Sequence, residues 1–246
     1  MSDDSASRVP DCLNDVWSAL RPEGDGYALI TDQAIGLPEK FRRNFCGTYF
    51  TEWTLRHDEG DMPADRHRAR DVIRYQWHGE ELSLQRHEAI TITDRADIAG
   101  RREHARVELL KDAEARDLIR MLLQLVPPSR RQHDGTFGVN LFRTFTNVVT
   151  KPHYDNEEFI VIYVLDRVGE GAETYLYRPS DVTDGGETLG QPVLRQQLNP
   201  GDIIIFEDSR FKHGATPLTD PDGLPTRRDA LICTVDYRST YLEPAS

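Results

Sequence analysis

The sequence predicts an α+β fold, with helices in the N-terminal half packed on an antiparallel β-sandwich or barrel in the C-terminal half. Three observations predict it. Residues before about 130 carry apolar positions at helical spacing. From about residue 136, short β-rich runs alternate with Gly, Pro, Asp and Asn. Apolar residues make up 38% of the 246-residue chain, enough to build a core.

The elements follow in order. MSDDSASRV, residues 1–9, reads as a loose tail, and residues 10–246 as a single domain. DCLNDVWSALRPEG places Leu13, Val16, Trp17 and Leu20 on one helical face, and the Gly that follows suits a helix stop. GYALI is a short strand, and LPEKFRRNFCGTYF a second helix with an aromatic face. FRRNFCGTYFTEW is a candidate lid, although an amphipathic helix lying on the sheet is the ordinary reading. Residues 51–100 are polar and mixed, with short strand candidates at VIRYQW and AITIT. EHARVELLKDAEARDLIRMLLQLV is the longest helical pattern, ended by PPS. The helical and mixed half spans 10–130. The β-rich core spans 136–240, with strands at GTFGVNLFRTFT, EFIVIYVLD, AETYLYRP, PVLRQQL, GDIIIFED and RDALICTVDYRS.

Charge and cysteines narrow the function. The net charge of -12 argues against a nucleic-acid surface, which needs clustered Lys and Arg. Cys12, Cys46 and Cys233 are distant and odd in number, without metal or disulfide spacing. An acidic, polar N-terminus and the lack of a long apolar run predict a cytoplasmic protein with no signal peptide or membrane segment.

The chemistry centres on HYDNEEFIVIYVLDR, which opens with His153 and Asp155. If the strand begins there, the two side chains share a face and can meet one ion. Imidazole plus carboxylate suits a divalent metal such as Fe(II). His-x-acid alone is a weak signal, because His57 with Glu59 and His78 with Glu80 repeat it in the polar middle region. The added specificity comes from order. His213 follows the apolar IIIF strand and precedes Gly-Ala-Thr-Pro, and Arg228 heads the last strong strand 15 residues later. The other histidines (57, 67, 78, 87, 104 and 133) lie in charge-rich stretches and default to solvated surface.

These motifs together (GVNLFRTF, HYDNEEFIVIYVLDR, the Gly-rich turn before ETYLY, FKHGATPL and RRDALICTVDY) resemble the Fe(II)- and 2-oxoglutarate-dependent dioxygenases. The resemblance is to the bacterial enzymes that hydroxylate free amino acids, of the L-isoleucine dioxygenase type. It covers roughly residues 40–240 and is strongest from 137 on. It implies a double-stranded β-helix (jelly-roll) core with the N-terminal helices packed on the sheet. It implies His153, Asp155 and His213 as the iron ligands and catalytic centre, a facial triad that leaves positions for 2-oxoglutarate and O2. Arg228 would grip the far carboxylate of 2-oxoglutarate, while the adjacent Arg227 faces the other way, towards solvent. Asn140, Arg143 and Glu157 would contact substrate, with Asn156 or Glu157 as candidates to hold an amine; an ordinary surface ion pair is the alternative for Arg143. Tyr154 reads as packing. Tyr163 and Thr174 are candidates for the cavity wall, with core packing as the alternative.

The implied reaction is oxidative decarboxylation of 2-oxoglutarate to succinate and CO2, coupled to hydroxylation of a C–H bond. Related halogenases lack the carboxylate ligand, so Asp155 points to hydroxylation. The expected substrate is a free amino acid, aliphatic or cyclic, such as proline or pipecolate, in a natural-product setting. The expected partners are that small molecule alone, with no nucleic acid or membrane and a homodimer as a possible assembly. Two alternatives stay open: desaturation or cyclisation with the same cofactors, and a cupin-like metal-binding protein without turnover.

Overall fold

The computed structural model describes residues 11–57, 66–88, 106–145 and 150–236. Three helices are α1 (Asp11–Ala19), α2 (Phe41–Tyr49) and α3 (Ala113–Gln124). The N-terminal half also carries β1 (Tyr27–Thr31), β2 (Arg66–His78) and β3 (Glu81–His87). Then follow β4 (Asp134–Thr144), β5 (Thr150–His153), β6 (Phe159–Val168), β7 (Glu170–Gly171), β8 (Glu173–Tyr177) and β9 (Leu194–Gln197). The last are β10 (Asp202–Glu207), β11 (Lys212–Ala215), β12 (Leu218–Thr219) and β13 (Arg227–Asp236).

The strands form a jelly roll. A seven-stranded major sheet runs β1-β10-β6-β13-β4-β2-β3, and a four-stranded minor sheet runs β5-β11-β8-β9. All the named pairings are antiparallel. The central strands read as continuous apolar runs because both faces are buried. On β6, Val161, Tyr163 and Leu165 pack under the helices, whereas Ile160, Ile162 and Val164 point into the space between the sheets. β10 divides the same way, with Ile203 and Ile205 outward and Ile204 and Phe206 inward.

The helix-side layer holds Leu13, Val16 and Leu20 of the α1 region, Phe41 and Phe45 of α2, and Leu118, Ile119 and Leu122 of α3. The spacing of these residues is the amphipathic pattern of the sequence. α2 is therefore a packed helix, although Trp53, just beyond it, is 89% exposed.

Three expectations are corrected. The two halves are not separate layers: β1 pairs with β10 and β2 with β4, so the N-terminal half supplies three strands of the major sheet. The strand candidate VIRYQW is the end of a longer, 13-residue strand, whose first half reads as polar because Arg, His and Asp fill most of it; Ala69, Ile73, Tyr75 and Trp77 alternate on its core face. The long helix begins only at Ala113, where Asp112 accepts hydrogen bonds from the Glu114 and Ala115 amides and breaks the helical run. His87 also leaves the solvated class: its Nδ1 lies 2.8 Å from the fully buried carboxylate of Asp71. The strand candidate AITIT, His104 and the 1–9 tail fall outside the described residues.

Candidate metal centre

The minor sheet brings the two histidines together. His153 ends β5, His213 lies within β11, and the two are direct cross-strand partners with ring centroids 4.5 Å apart. Such pairing places both side chains on one face. Asp155 arrives differently from the sequence expectation. β5 stops at His153 and β6 starts at Phe159, so Asp155 sits in the connector and strand alternation does not orient it. A turn does so instead, with Asn156 in the left-handed region at φ 62°. His213 follows the IIIF strand as expected, and it lies in a short strand of its own, β11.

The three side chains form one cluster, with ligand atoms all within 4.8 Å of one another. The Asp155 carboxylate lies 3.5 Å from His153 Nε2 and 3.5 Å from His213 Nε2. His153 Nδ1 donates to the Lys151 carbonyl at 2.9 Å, which fixes the tautomer and leaves Nε2 free as a ligand. Burial opposes the charge on Asp155, but His153 and His213 overcome it and hold the carboxyl well below the usual range. Burial lowers the pKa of His213, yet Asp155 and Asp208 outweigh it and lift the ring to about 9. Both shifts arise from the mutual attraction of these carboxylates and imidazoles.

Asp208 is a further member that the sequence reading did not single out. It is 1% exposed and opens the short 3-10 turn after β10. One carboxylate oxygen accepts from the amides of Asp155 (3.0 Å) and Glu157 (3.1 Å); the other lies 3.4 Å from His213 Nδ1. A single buried acid thus ties the Asp155 turn to the ring of His213. The available signal was an acid pair, Glu207-Asp208, closing a wholly apolar strand five residues before the histidine.

The second part of the site comes from the major sheet. On β13, Leu231, Cys233 and Val235 face the helices, whereas Ile232 packs on the inter-sheet cluster. Alternation therefore turns Arg228 into the inter-sheet space. His213 borders the same space, its ring 5.0 Å from Phe206 of that cluster. Arg228 is 7% exposed, and its Nε and Nη2 have no hydrogen-bond partner among the described residues. Burial without a counter-charge lowers its pKa to about 10. A buried guanidinium in this condition fits a missing carboxylate.

The remaining expected residues divide between the two faces. Asn140 is cross-strand to Ile232 on the inter-sheet face, and its Nδ2 donates to the Ile232 carbonyl at 3.3 Å. Thr174 lies on the Leu176 side of β8, 1% exposed, with an unpartnered hydroxyl. Glu157 is partly buried and its side chain makes no hydrogen bond or ion pair among the described residues. Burial, Asp236 and Asp155 raise its pKa to about 8 against the pull of Arg70. The structure does not bring Arg143 to the triad. It sits on the helix-side face in a bidentate pair with Asp229, at 2.7 and 2.7 Å. Arg227 also faces away from Arg228, but it pairs with Asp166 and is not simply solvated. Tyr163 is core on the helix side, its hydroxyl donating to Asp32 at 2.9 Å. The Tyr154 ring has Lys212 Nζ 5.8 Å from its centroid, in keeping with packing.

Comparison with known proteins decides the family. The 2OG-Fe dioxygenase family model matches residues 54–234, most of the chain and all of the site.

The chain belongs to the 2OG-Fe dioxygenase family.

No curated protein matches it. Among solved structures it is similar to a bsmA homologue from Methylobium petroleophilum PM1, with TM-score 0.73, 19% identity, and coverage of 95% of this chain and 96% of that one. It is also similar to the Fe(II)/(alpha)ketoglutarate-dependent dioxygenase TqaL, with TM-score 0.68, 11% identity, and coverage of 92% and 87%. IDO from Bacillus thuringiensis gives TM-score 0.63, 13% identity, and coverage of 92% and 99%. At these identities the likeness is one of fold. As a 2OG-Fe dioxygenase the chain is an oxidoreductase that uses Fe(II), 2-oxoglutarate and O2, and its His-Asp-His cluster suits that metal. No helix among the described residues is long and apolar enough to cross a membrane.

Proposed function

We propose that this 2OG-Fe dioxygenase hydroxylates a C–H bond of a free amino acid, aliphatic or cyclic, with proline and pipecolate as members of the class. The observation that carries the substrate class is Glu157. Its carboxyl lies two residues beyond Asp155, partly buried among acidic groups, with Arg70 as the opposing charge and no hydrogen bond or ion pair among the described residues. A substrate ammonium supplies the cation for such a pair. Asn140, on the inter-sheet face, adds an amide for the polar end of the substrate.

The residues divide the work. His153, Asp155 and His213 would hold Fe(II), with coordination positions left for 2-oxoglutarate and O2. Asp208 keeps the Asp155 turn and the His213 ring in position. Arg228 receives the far carboxylate of 2-oxoglutarate. Iron and 2-oxoglutarate supply the oxidising chemistry, which releases succinate and CO2 and places one oxygen on the substrate. The sheets and the apolar residues between them exclude water from that step. Arg143 has no substrate role in this account, because it lies on the helix-side face with its Nε–Nη2 edge engaged by Asp229.

The test is a panel of free amino acids with Fe(II), 2-oxoglutarate and O2, read by succinate release and product mass. Substrate-dependent succinate with a gain of one oxygen is expected, and Glu157→Gln should raise KM at least tenfold. Loss of two hydrogens would replace hydroxylation with desaturation or cyclisation. Turnover only with substrates lacking an amine would overturn the amino acid reading.

A further inference from the structure

β6 and β13 pair in simple register up to Val164 opposite Ala230, and then the register shifts. The next pair is Asp166 opposite Asp229, so Leu165 is the extra residue of a β-bulge. The bulge changes which side chains face inward. Ile160, Ile162 and Val164 point between the sheets, so unbroken alternation would send Asp166 inward and Arg167 outward. The inserted residue reverses this. Asp166 joins Asp229 on the helix side, and Arg167 turns into the inter-sheet space directly opposite Arg228.

This placement is costly by itself. Like charges directly across two strands repel, and the Arg167 charge further lowers the pKa of Arg228. No carboxylate among the described residues offsets the pair at Arg228. Arg167 is nevertheless held in place. Its Nη2 donates to Asn199 Oδ1 at 3.2 Å, and Asn199 is itself fixed by its amide donating to Asp202 Oδ2 at 2.7 Å. Among the described residues, Arg167 Nη1 is buried without a hydrogen-bond partner, as are Nε and Nη2 of Arg228. Three buried guanidinium nitrogens therefore lack acceptors on two residues that face each other. A carboxylate with two oxygens and four lone-pair sites satisfies them and relieves the repulsion.

We propose that Arg167 is a second binding residue for the far carboxylate of 2-oxoglutarate, so that this chain grips its cosubstrate with two arginines from adjacent strands, aimed by the Leu165 bulge. The proposal rests on the assignment of Arg228 to that carboxylate, and the experiment separates the two.

Affinity for 2-oxoglutarate and for pyruvate is measured by anaerobic titration of the Fe(II)-loaded protein, following the visible charge-transfer absorption. Pyruvate has the same metal-chelating keto-acid head but no far carboxylate. Arg167→Gln is expected to weaken 2-oxoglutarate roughly tenfold and leave pyruvate unchanged. Unchanged affinity for 2-oxoglutarate overturns the proposal, and so does an equal loss for both ligands, which marks a structural role. Arg228→Gln run beside it tests the foundation. If it leaves 2-oxoglutarate binding intact, both assignments fail; if it weakens binding while Arg167→Gln does not, only the second arginine fails. Should the Gln variant not fold, Arg167→Lys keeps the charge but loses the planar fork. It is expected to weaken 2-oxoglutarate several-fold with pyruvate unchanged, and equal affinity again overturns the proposal.

Discussion

Asp208 touches the His-Asp-His cluster and its connector at three points, on two segments far apart in the chain. Removing it frees the Asp155 turn and leaves His213 Nδ1 facing nothing. Asp208→Ala is expected to lower Fe(II) affinity by about 10- to 100-fold, measured by metal titration with chelator competition; an unchanged affinity contradicts its positioning role. Arg228 presents the opposite balance between stability and function. Its charge is buried without a partner, so Arg228→Met is expected to stabilise the ligand-free protein by about 1 kcal/mol or more. The same variant should lose the thermal stabilisation that 2-oxoglutarate gives the metal-loaded wild type. A lower melting temperature for ligand-free Arg228→Met would mean that the guanidinium has a partner. At this scale the sequence was informative where chemistry is tied to residue type. The clustering of His153, Asp155 and His213 was legible from the order of the motifs, although the strand expected to orient Asp155 ends before it. Asp208 was not, because an acid near a strand end is ordinary until its burial is known. Arg143 misled because a basic residue in a strand next to the site can face either way, and only the cross-strand Asp229 decides which.

At the scale of elements, short features set the register on which the site depends. The bulge in β6 turns Arg167 inward, and neither residue type nor spacing announces it, since VLDR reads as a plain strand end. α3 starts late because Asp112 is a better cap than a helix interior residue. Only the VIRYQW half of β2 was legible, because basic residues dominate its first half. Asp71 anchors it. That carboxylate is fully buried, lies 2.8 Å from His87 Nδ1 of β3, and accepts from the Leu109 amide at 2.9 Å and from Arg106 at 3.2 Å. Burial raises its pKa, and these donors work against that. Asp71→Ala leaves buried donors unpaired and is expected to cost about 3 kcal/mol in urea unfolding. A loss under 1 kcal/mol would show that the network is incidental. The tight turn into β10 was legible: Gly201 adopts φ 103°, where a side chain is disfavoured, directly before the IIIF strand.

For the whole molecule, the jelly roll places His153 and His213 on the minor sheet, Asp155 in the connector that leaves it, and Arg228 on the major sheet, bordering one internal space. The β-rich half and its antiparallel character were readable from turn residues and apolar runs. That the N-terminal half is woven into the major sheet was not, because pairing between distant strands leaves no mark in local pattern. The arrangement also couples metal to stability. The ligands come from β5, its connector and β11, so Fe(II) bound at 100 times its Kd should stabilise the fold by about 2.7 kcal/mol. Stripping the metal with a chelator should lower the melting temperature, and His213→Ala should abolish that difference.

The central claim is that one iron sits on His153, Asp155 and His213 with 2-oxoglutarate chelating it and reaching Arg228. The most direct measurement is anaerobic absorption after adding Fe(II) and then 2-oxoglutarate to wild type, His153→Ala and Arg228→Ala. The account predicts a visible metal-to-ligand charge-transfer band in wild type, absent in His153→Ala, and requiring far more 2-oxoglutarate in Arg228→Ala. A folded, iron-loaded wild type without the band, or a His153→Ala variant that keeps it, would contradict the account.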